Sequence, residues 1–406
     1  MSGKKKHSSE ITEQMRSLRQ PPEAPKEQKK PKKDRTLGQK IIRTVIIVLI
    51  VIVGLAAILL ADLTIKEYKP ADVEEVAVKG EAKPSELTGR TTVAAGDTVN
   101  VMSWNVGYAA LGDNAEYFTE GGKAGRPSSE DRVKENMIGI AEGIKMVHPN
   151  VVFLQDVDTN SLRSYGIDEE ENIKSLLNDN GDMDYVSTFA VDHKVDLIPY
   201  PIPPVGKVNS GIMTLSDFEV SSSTRHQLTN AYSWPASTVK PKRCFMVDRV
   251  AVVDESGNAT GKELVLVNLH LEAYDSEEDR AAQTKQLKEF LQQEADKGNY
   301  VIAGGDFNQR FSSVSNTFIE FDDAWKCGTI DAAEFGDDFE LIMDNSTASR
   351  RYLDMSYADT EKELVQYYLT DGFIISKNVE INFYFTIGLE FENTNHNPVV
   401  LSVTLN

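Results

Sequence analysis

At six places in this 406-residue chain a polar side chain stands at the end of an apolar run, and the residue types are those that handle phosphate and divalent cations. The most informative is Val301-Ile-Ala-Gly-Gly-Asp-Phe-Asn308, a short apolar strand that ends in two glycines. Glycine lets the backbone approach a ligand closely, so Asp306 and Asn308 would project together from one turn. A carboxylate and a carboxamide placed in this way can converge on one phosphate or metal. The other five are Ser103-Trp104-Asn105, Leu154-Gln155-Asp156, Asn268-Leu269-His270, Leu369-Thr370-Asp371-Gly372 and Asn395-His396-Asn397-Pro398. Taken singly, each reads equally well as turn chemistry, a rim histidine or, for Asp371, a buried carboxylate with a structural partner. Six polar strand ends of this composition are hard to explain as six coincidences, and together they point to one site.

Apolar strands are needed to carry these residues. Asn100–Trp104, Val151–Leu154, Gly211–Leu215, Phe245–Val253, Glu263–Leu269, Tyr300–Ala303, Tyr367–Ser376 and Pro398–Thr404 read as strands. Ser129–Val147 places Val133, Met137, Ile140, Ala141, Ile144 and Val147 on one helical face. Ser276–Lys297 is a second helix, with Ser276 and Asp279 as a capping box and Gly298 at its end. Runs such as Val151–Leu154 are too apolar for a sheet with one wet face. The reading is therefore α/β, with two mixed sheets packed together and helices on the outer faces.

In their order along residues 98–406, these motifs resemble the endonuclease/exonuclease/phosphatase superfamily of DNase I-like, divalent-metal phosphodiesterases. The pieces that carry the resemblance are Ser103-Trp104-Asn105, Leu154-Gln155-Asp156, Asn268-Leu269-His270, Gly305-Asp306-Phe307-Asn308 and His396-Asn397-Pro398. It implies a four-layer α/β sandwich. It also implies Mg²⁺ (or Mn²⁺) held by Asn105, Asp156 and Asn395, with Asp306 orienting or deprotonating the attacking water. Asn308 would bind a phosphate oxygen, and His270 would hydrogen-bond the phosphate or assist the leaving group. His396, paired with Asp371, would stabilise transition-state charge or act as general acid or base. Two positions depart from the pattern: Asp156 stands where glutamate is usual, and Asn395 where aspartate is usual. The first shortens a ligand by one methylene and the second removes a negative charge, so the alternative is a weakened phosphate-binding module.

Composition splits the chain in two. Residues 1–61 hold 13 Lys/Arg against 5 Asp/Glu, whereas the rest holds 30 against 58. Between them Thr44–Ala61 carries no charge over eighteen residues and, with Ile41 and Ile42, is long enough to cross a hydrocarbon layer of about 30 Å. The basic flank lies before it, which expects a cytoplasmic N-terminus and an extracellular remainder at a cell membrane. Residues 1–40 are expected as a basic disordered tail, 41–61 as a single transmembrane helix, and 62–97 as an extracellular stalk with one strand near Val73–Lys79. The catalytic domain is expected over 98–406. Cys244 and Cys327 are the only cysteines, and no Cys/His zinc spacing occurs. The acidic outer region argues against electrostatic tracking along nucleic acid, although Lys240, Lys242, Arg243, Arg249, Arg350 and Arg351 offer local positive charge. The substrate class is a phosphodiester or phosphate ester, from nucleic acid or a lipid headgroup, and no protein partner is inferred.

Overall fold

The computed structural model describes residues 35–406, apart from 85–88, 179–182, 230–231, 275 and 322–323, together with Glu13 and Met15. Most of the expected basic tail lies outside the described residues. The chain forms two compact units, Met1–Ile58 and Leu59–Asn406. The helix Leu37–Ile65 runs for 29 residues, is apolar and unburied through its centre, and is long enough to span a membrane.

The second unit is built on two βαβ crossovers. Thr98–Asn105 leads through the helix Glu130–Val147 to the parallel strand Val151–Asp158. Ala259–His270 leads through the helix Glu277–Asp296 to the parallel strand Tyr300–Asp306. A parallel pair must be joined by such a crossover, and its two strands end on the same side. Asn105 and Asp156 thus share one rim, and His270 and Asp306 share another.

Each pair lies inside a larger sheet. The first sheet has seven strands, ordered Val379–Thr386, Val399–Leu405, Thr98–Asn105, Val151–Asp158, Gly206–Ser216, Val186–Ile198, Val78–Lys79. The second has eight, ordered Val73–Glu75, Val220–Gln227, Cys244–Val253, Ala259–His270, Tyr300–Asp306, Asp371–Ser376, Phe339–Ile342, with Val93–Ala94 beside Cys244–Val253. Alternation along each strand feeds two cores. Val99, Val101, Val151 and Phe153 meet Leu264, Leu266, Ile302 and Phe373 between the sheets. On the outer faces Met102, Trp104 and Leu154 pack under Met137, Ile140 and Ile144, while Val247, Val265 and Val301 pack under Leu287 and Leu291. The result is the expected helix–sheet–sheet–helix sandwich. Ser129 and Ser276 cap their helices by accepting from Arg132 N and Asp279 N.

The segment expected as a stalk is part of the fold. Val73–Glu75 pairs with Val220–Gln227 of one sheet, and Val78–Lys79 pairs with Val186–Ile198 of the other. Val93–Ala94 adds a third strand, where one was expected. These strands are two or three residues long, too short for a periodic signal. Val186–Ile198 and Val220–Gln227 carry no clear strand signal in the sequence, because polar residues interrupt the first and Ser, Thr, Arg, His and Gln fill most of the second.

Candidate active site

The rims of the two sheets meet over one cleft of about 320 Å³, lined by Asn105, Asp156, His270, Asp306, Asn308, Asn395 and His396. Asp371 lies directly behind. Register explains the grouping: His270 is the cross-strand partner of Asp306, and Asp306 is the partner of Asp371, so three strands present one row. From the facing sheet Asn105 Nδ2 donates to Asp306 Oδ2 at 3.0 Å. Below it Gln155 Nε2 donates to Asn268 Oδ1 at 2.8 Å, a second buried amide link between the sheets. Within its own sheet Gly305 leaves no room for a side chain, since a Cβ there would lie 1.9 Å from the carbonyl oxygen of its cross-strand neighbour Leu269.

His396 sits between two carboxylates. Its Nδ1 is 2.9 Å from Asp371 Oδ2, and its Nε2 is 3.7 Å from Asp306 Oδ2. Burial opposes its protonation, but Asp371 and Asp306 outweigh burial and hold it above its ordinary value. Asp306 is pushed up to about 6, first by burial and then by the nearby Asp371. A carboxylate poised there can accept a proton near neutral pH. Asp306, Asp371 and His396 have ligand atoms within 4.8 Å of one another, a grouping that could also surround a cation. The short His396–Asp371 hydrogen bond and the near-complete burial of Asp371, 1% exposed, favour an aspartate–imidazole pair instead.

The opposite wall is organised by Arg243. Its Nη1 donates to Asp192 Oδ2 at 2.8 Å and to His270 Nδ1 at 2.9 Å, and lies 3.8 Å from Asp156 Oδ1. A guanidinium can only donate, so His270 Nδ1 carries the lone pair and Nε2 carries the hydrogen. That Nε2 is 3.5 Å from Asp306 Oδ2, on the cleft side. Burial and then Arg243 hold His270 well below its ordinary value, so the ring is neutral. Asp156 leaves the ladder at a bulge between Leu154 and Val157, in the left-handed region at φ 54°. The bulge turns its carboxylate into the cleft. Burial would raise its pKa, but its neighbours hold it below the ordinary carboxylate value. With His270 neutral, Arg243, Arg163 and the Asn105 amide carry that lowering.

The remaining residues sort by contact. Asn308, at φ 51°, donates through Nδ2 to the Leu271 carbonyl at 3.0 Å and accepts from Arg350. Arg350 pairs with the buried Glu120 and stacks 4.5 Å over Trp325. Lys240, Arg243 and Arg350 reach the cleft. Lys242 is buried against Glu67, Arg249 pairs with Glu294 and Glu263, and Arg351 donates to the Gly112 carbonyl. Asp158 supplies no ligand to the cleft, because Arg163 and Ser164 occupy its oxygens at 2.9–3.0 Å. Cys244 and Cys327 are both free. Sequence reasoning did not find Asp192, Glu120, Glu272 or Arg163, all contacting or lining the site. For Glu120 the sequence offers only an acid shortly after two aromatic residues, Tyr117 and Phe118, and its contact with Tyr274 comes from across the fold.

A model of the Endonuclease/Exonuclease/phosphatase family matches residues 102–354, which covers both crossovers and most of the cleft. The chain belongs to that family. The family comprises metal-dependent phosphodiesterases, nucleases and phosphatases. Among solved structures the chain is similar to an endonuclease/exonuclease/phosphatase from Beutenbergia cavernae DSM 12333, at 18% identity over 76% of this chain and 72% of that one, with a TM-score of 0.50. It is also similar to TDP2 from Caenorhabditis elegans, at 15% identity over 76% and 75% with TM-score 0.46. The human Nocturnin catalytic domain with bound sulfate matches at 18% identity over 82% and 98% with TM-score 0.44. No curated protein matches in sequence. At 18% identity the likeness to the Beutenbergia cavernae structure is one of fold alone.

The donor set fits a hard divalent cation. Asn395 Oδ1 is buried without a hydrogen-bond partner, and a Cβ on Gly107 would sit 3.1 Å from it, which places it beside the Asn105 loop. Asp156 is ionised and 20% exposed to the cleft. Carbonyl and carboxylate oxygens are the ligands that magnesium takes.

Proposed function

We propose that the domain is an extracellular, membrane-anchored, divalent-metal-dependent phosphodiester hydrolase. The observation that carries this reading is the single row His270–Asp306–Asp371, with His396 on Asp371 and Asn105 facing it from the other sheet. Asn105, Asp156 and Asn395 are the residues that would hold Mg²⁺ or Mn²⁺, and the ion would neutralise charge that develops on phosphorus-bound oxygens. Asp306 takes a proton from water as the water oxygen bonds to phosphorus and the ester P–O bond breaks. The departing oxygen takes up a proton, for which the imidazolium of His396 is the donor at hand, and Asp371 stabilises that imidazolium. His270 Nε2–H and Asn308 Nδ2 hold non-bridging oxygens. The basic flank before Thr44–Ala61 supports a cytoplasmic N-terminus and an outward domain.

The test is cleavage of bis(p-nitrophenyl) phosphate with Mg²⁺, with chelator, and by Asp306→Ala. Chelator-sensitive turnover that Asp306→Ala abolishes supports the reading, and no turnover with Mg²⁺ or Mn²⁺ sinks it. One observation favours a second reading, a phosphate-binding module of low activity: Arg243 lies 3.8 Å from Asp156 and competes with a cation for its charge. Activity that appears only in Asp156→Glu/Asn395→Asp would establish that alternative.

A further inference from the structure

The end of the apolar helix is fastened to the mouth of the cleft. Leu59 and Leu60 are half-buried and Leu63 is buried, so the last turns of the helix, from Leu59 on, pack within the second unit to which they belong. Trp234 Nε1 donates to Thr64 Oγ1 at 3.1 Å. Lys66 pairs with Asp196 at 3.2 Å, and Glu67 pairs with the buried Lys242 at 2.8 Å. Thr64 is three residues beyond Ala61, the end of the uncharged run, or about 4.5 Å of helix at 1.5 Å per residue. If the run crosses a membrane, Trp234 and Asp196 must lie at its surface.

The same two segments frame the cleft. Ile198, Tyr200 and Val205 line it from one side, and Tyr232, Val239 and Lys240 from the other. Tyr200 of that lining is 64% exposed, and beyond it Ile202 is 92% and Trp234 59% exposed, all on the segments pinned by the helix end. An exposed tryptophan and tyrosine beside an isoleucine match the side chains that settle at a lipid–water boundary. The depth of the cleft offers Arg243, Arg350, His270 and Asn308 to an anion, and its upper wall offers aromatic rings.

We propose that the Leu197–Val205 and Tyr232–Pro241 rim rests on the bilayer the helix crosses, so that the cleft receives the phosphodiester headgroup of a membrane lipid. The assignment rests on the hydrolase reading given above and adds a substrate class to it. Water bonds to phosphorus, the P–O bond to the lipid alcohol breaks, and that alcohol takes up the proton. The phosphorylated headgroup leaves to water and the neutral alcohol stays in the bilayer.

The experiment uses the full chain with Mg²⁺ in vesicles of phosphatidylcholine, phosphatidylglycerol and sphingomyelin, with bis(p-nitrophenyl) phosphate and single-stranded DNA in parallel. The expected result is headgroup release that falls about ten-fold or more in Ile202→Ser/Trp234→Ser, the effect of losing one or two buried apolar anchors, while the soluble diester is cleaved at the wild-type rate. Cleavage of the soluble diester or DNA without lipid turnover overturns the lipid assignment and leaves the hydrolase intact. Lipid turnover indifferent to the double substitution overturns the rim. Should no substrate turn over, the hydrolase reading fails. Quenching of fluorescence by brominated lipid, lost in Trp234→Phe, then supports bilayer contact, and its absence overturns it.

Discussion

Replacing Arg243 by methionine removes the one cation that three site residues share, and its cost can be worked from the geometry. Asp192 is 1% exposed and meets Arg243 at 2.8 Å. Even with that partner, burial raises its carboxyl to about 6, so without it the charge keeps only the weaker influence of Arg225. Breaking a buried pair from one side costs about 3–5 kcal/mol. For a domain of this size about 2 °C of melting temperature accompanies each kcal/mol, so Arg243→Met should lower Tm by roughly 6–10 °C in scanning calorimetry. Adding Asp192→Asn removes the stranded charge and should recover at least half of the loss. The same variant frees His270 Nδ1, so protonation of the ring should shift upward in an imidazole NMR titration, while burial still holds it below its ordinary value. A Tm drop under about 2 °C, or a double variant no more stable than the single one, would refute the assignment of Arg243 as the shared counter-ion.

Asp371→Asn leaves His396 without its carboxylate and should cut diester cleavage by about 10²–10⁴ while circular dichroism is unchanged; a loss under about five-fold removes the pair from the mechanism. Gly305→Ala drives a Cβ to 1.9 Å from the Leu269 carbonyl oxygen and should cost about 3 kcal/mol or more in urea unfolding, and a neutral result would mean that the strand ladder is drawn wrongly. Asp248 is fully buried between the sheets and its carboxyl is raised to about 6, chiefly by burial, with neither oxygen hydrogen-bonded. Its folded pKa exceeds the unfolded one, so the folded state favours the neutral acid, and stability is lost as pH rises from about 4 through about 6. Asp248→Asn should therefore be more stable than wild type by about 3 kcal/mol at pH 7.5 and gain nothing at pH 3.5, measured by urea unfolding at both. Asp156→Glu with Asn395→Asp should tighten Mg²⁺ binding by roughly ten-fold in a thermal-shift titration, and no change would place the ion elsewhere.

The parts of the site that sit on apolar strands were legible, because an apolar run broken by Asn, Asp or His announces both the element and its end. Asn105, His270, Asp306 and Asp371 all lie at the tip of such a run, and the two crossovers follow from helices of visible amphipathicity. The electrostatic frame was not legible. Asp192 reaches Arg243 across 51 residues from a strand rich in polar residues, and Glu120 reaches Arg350 across 230. Pairings between distant chain segments leave no local pattern. The short strand expected near Val73–Lys79 is there, as Val73–Glu75 and Val78–Lys79, but its pairing with the two sheets was not legible, since pieces so short are ordered by the distant partners they join.

The strand that carries Asn105 lies between Val151–Asp158 and Val399–Leu405, so its two neighbours come from distant stretches of the chain. Without Val399–Leu405, Thr98–Asn105 would be an open edge with a row of unpaired amides and carbonyls, ready to pair with another molecule. Damage confined to that remote strand therefore reaches Asn105 through the ladder and leaves a sticky, unfinished sheet in place of a slightly impaired enzyme.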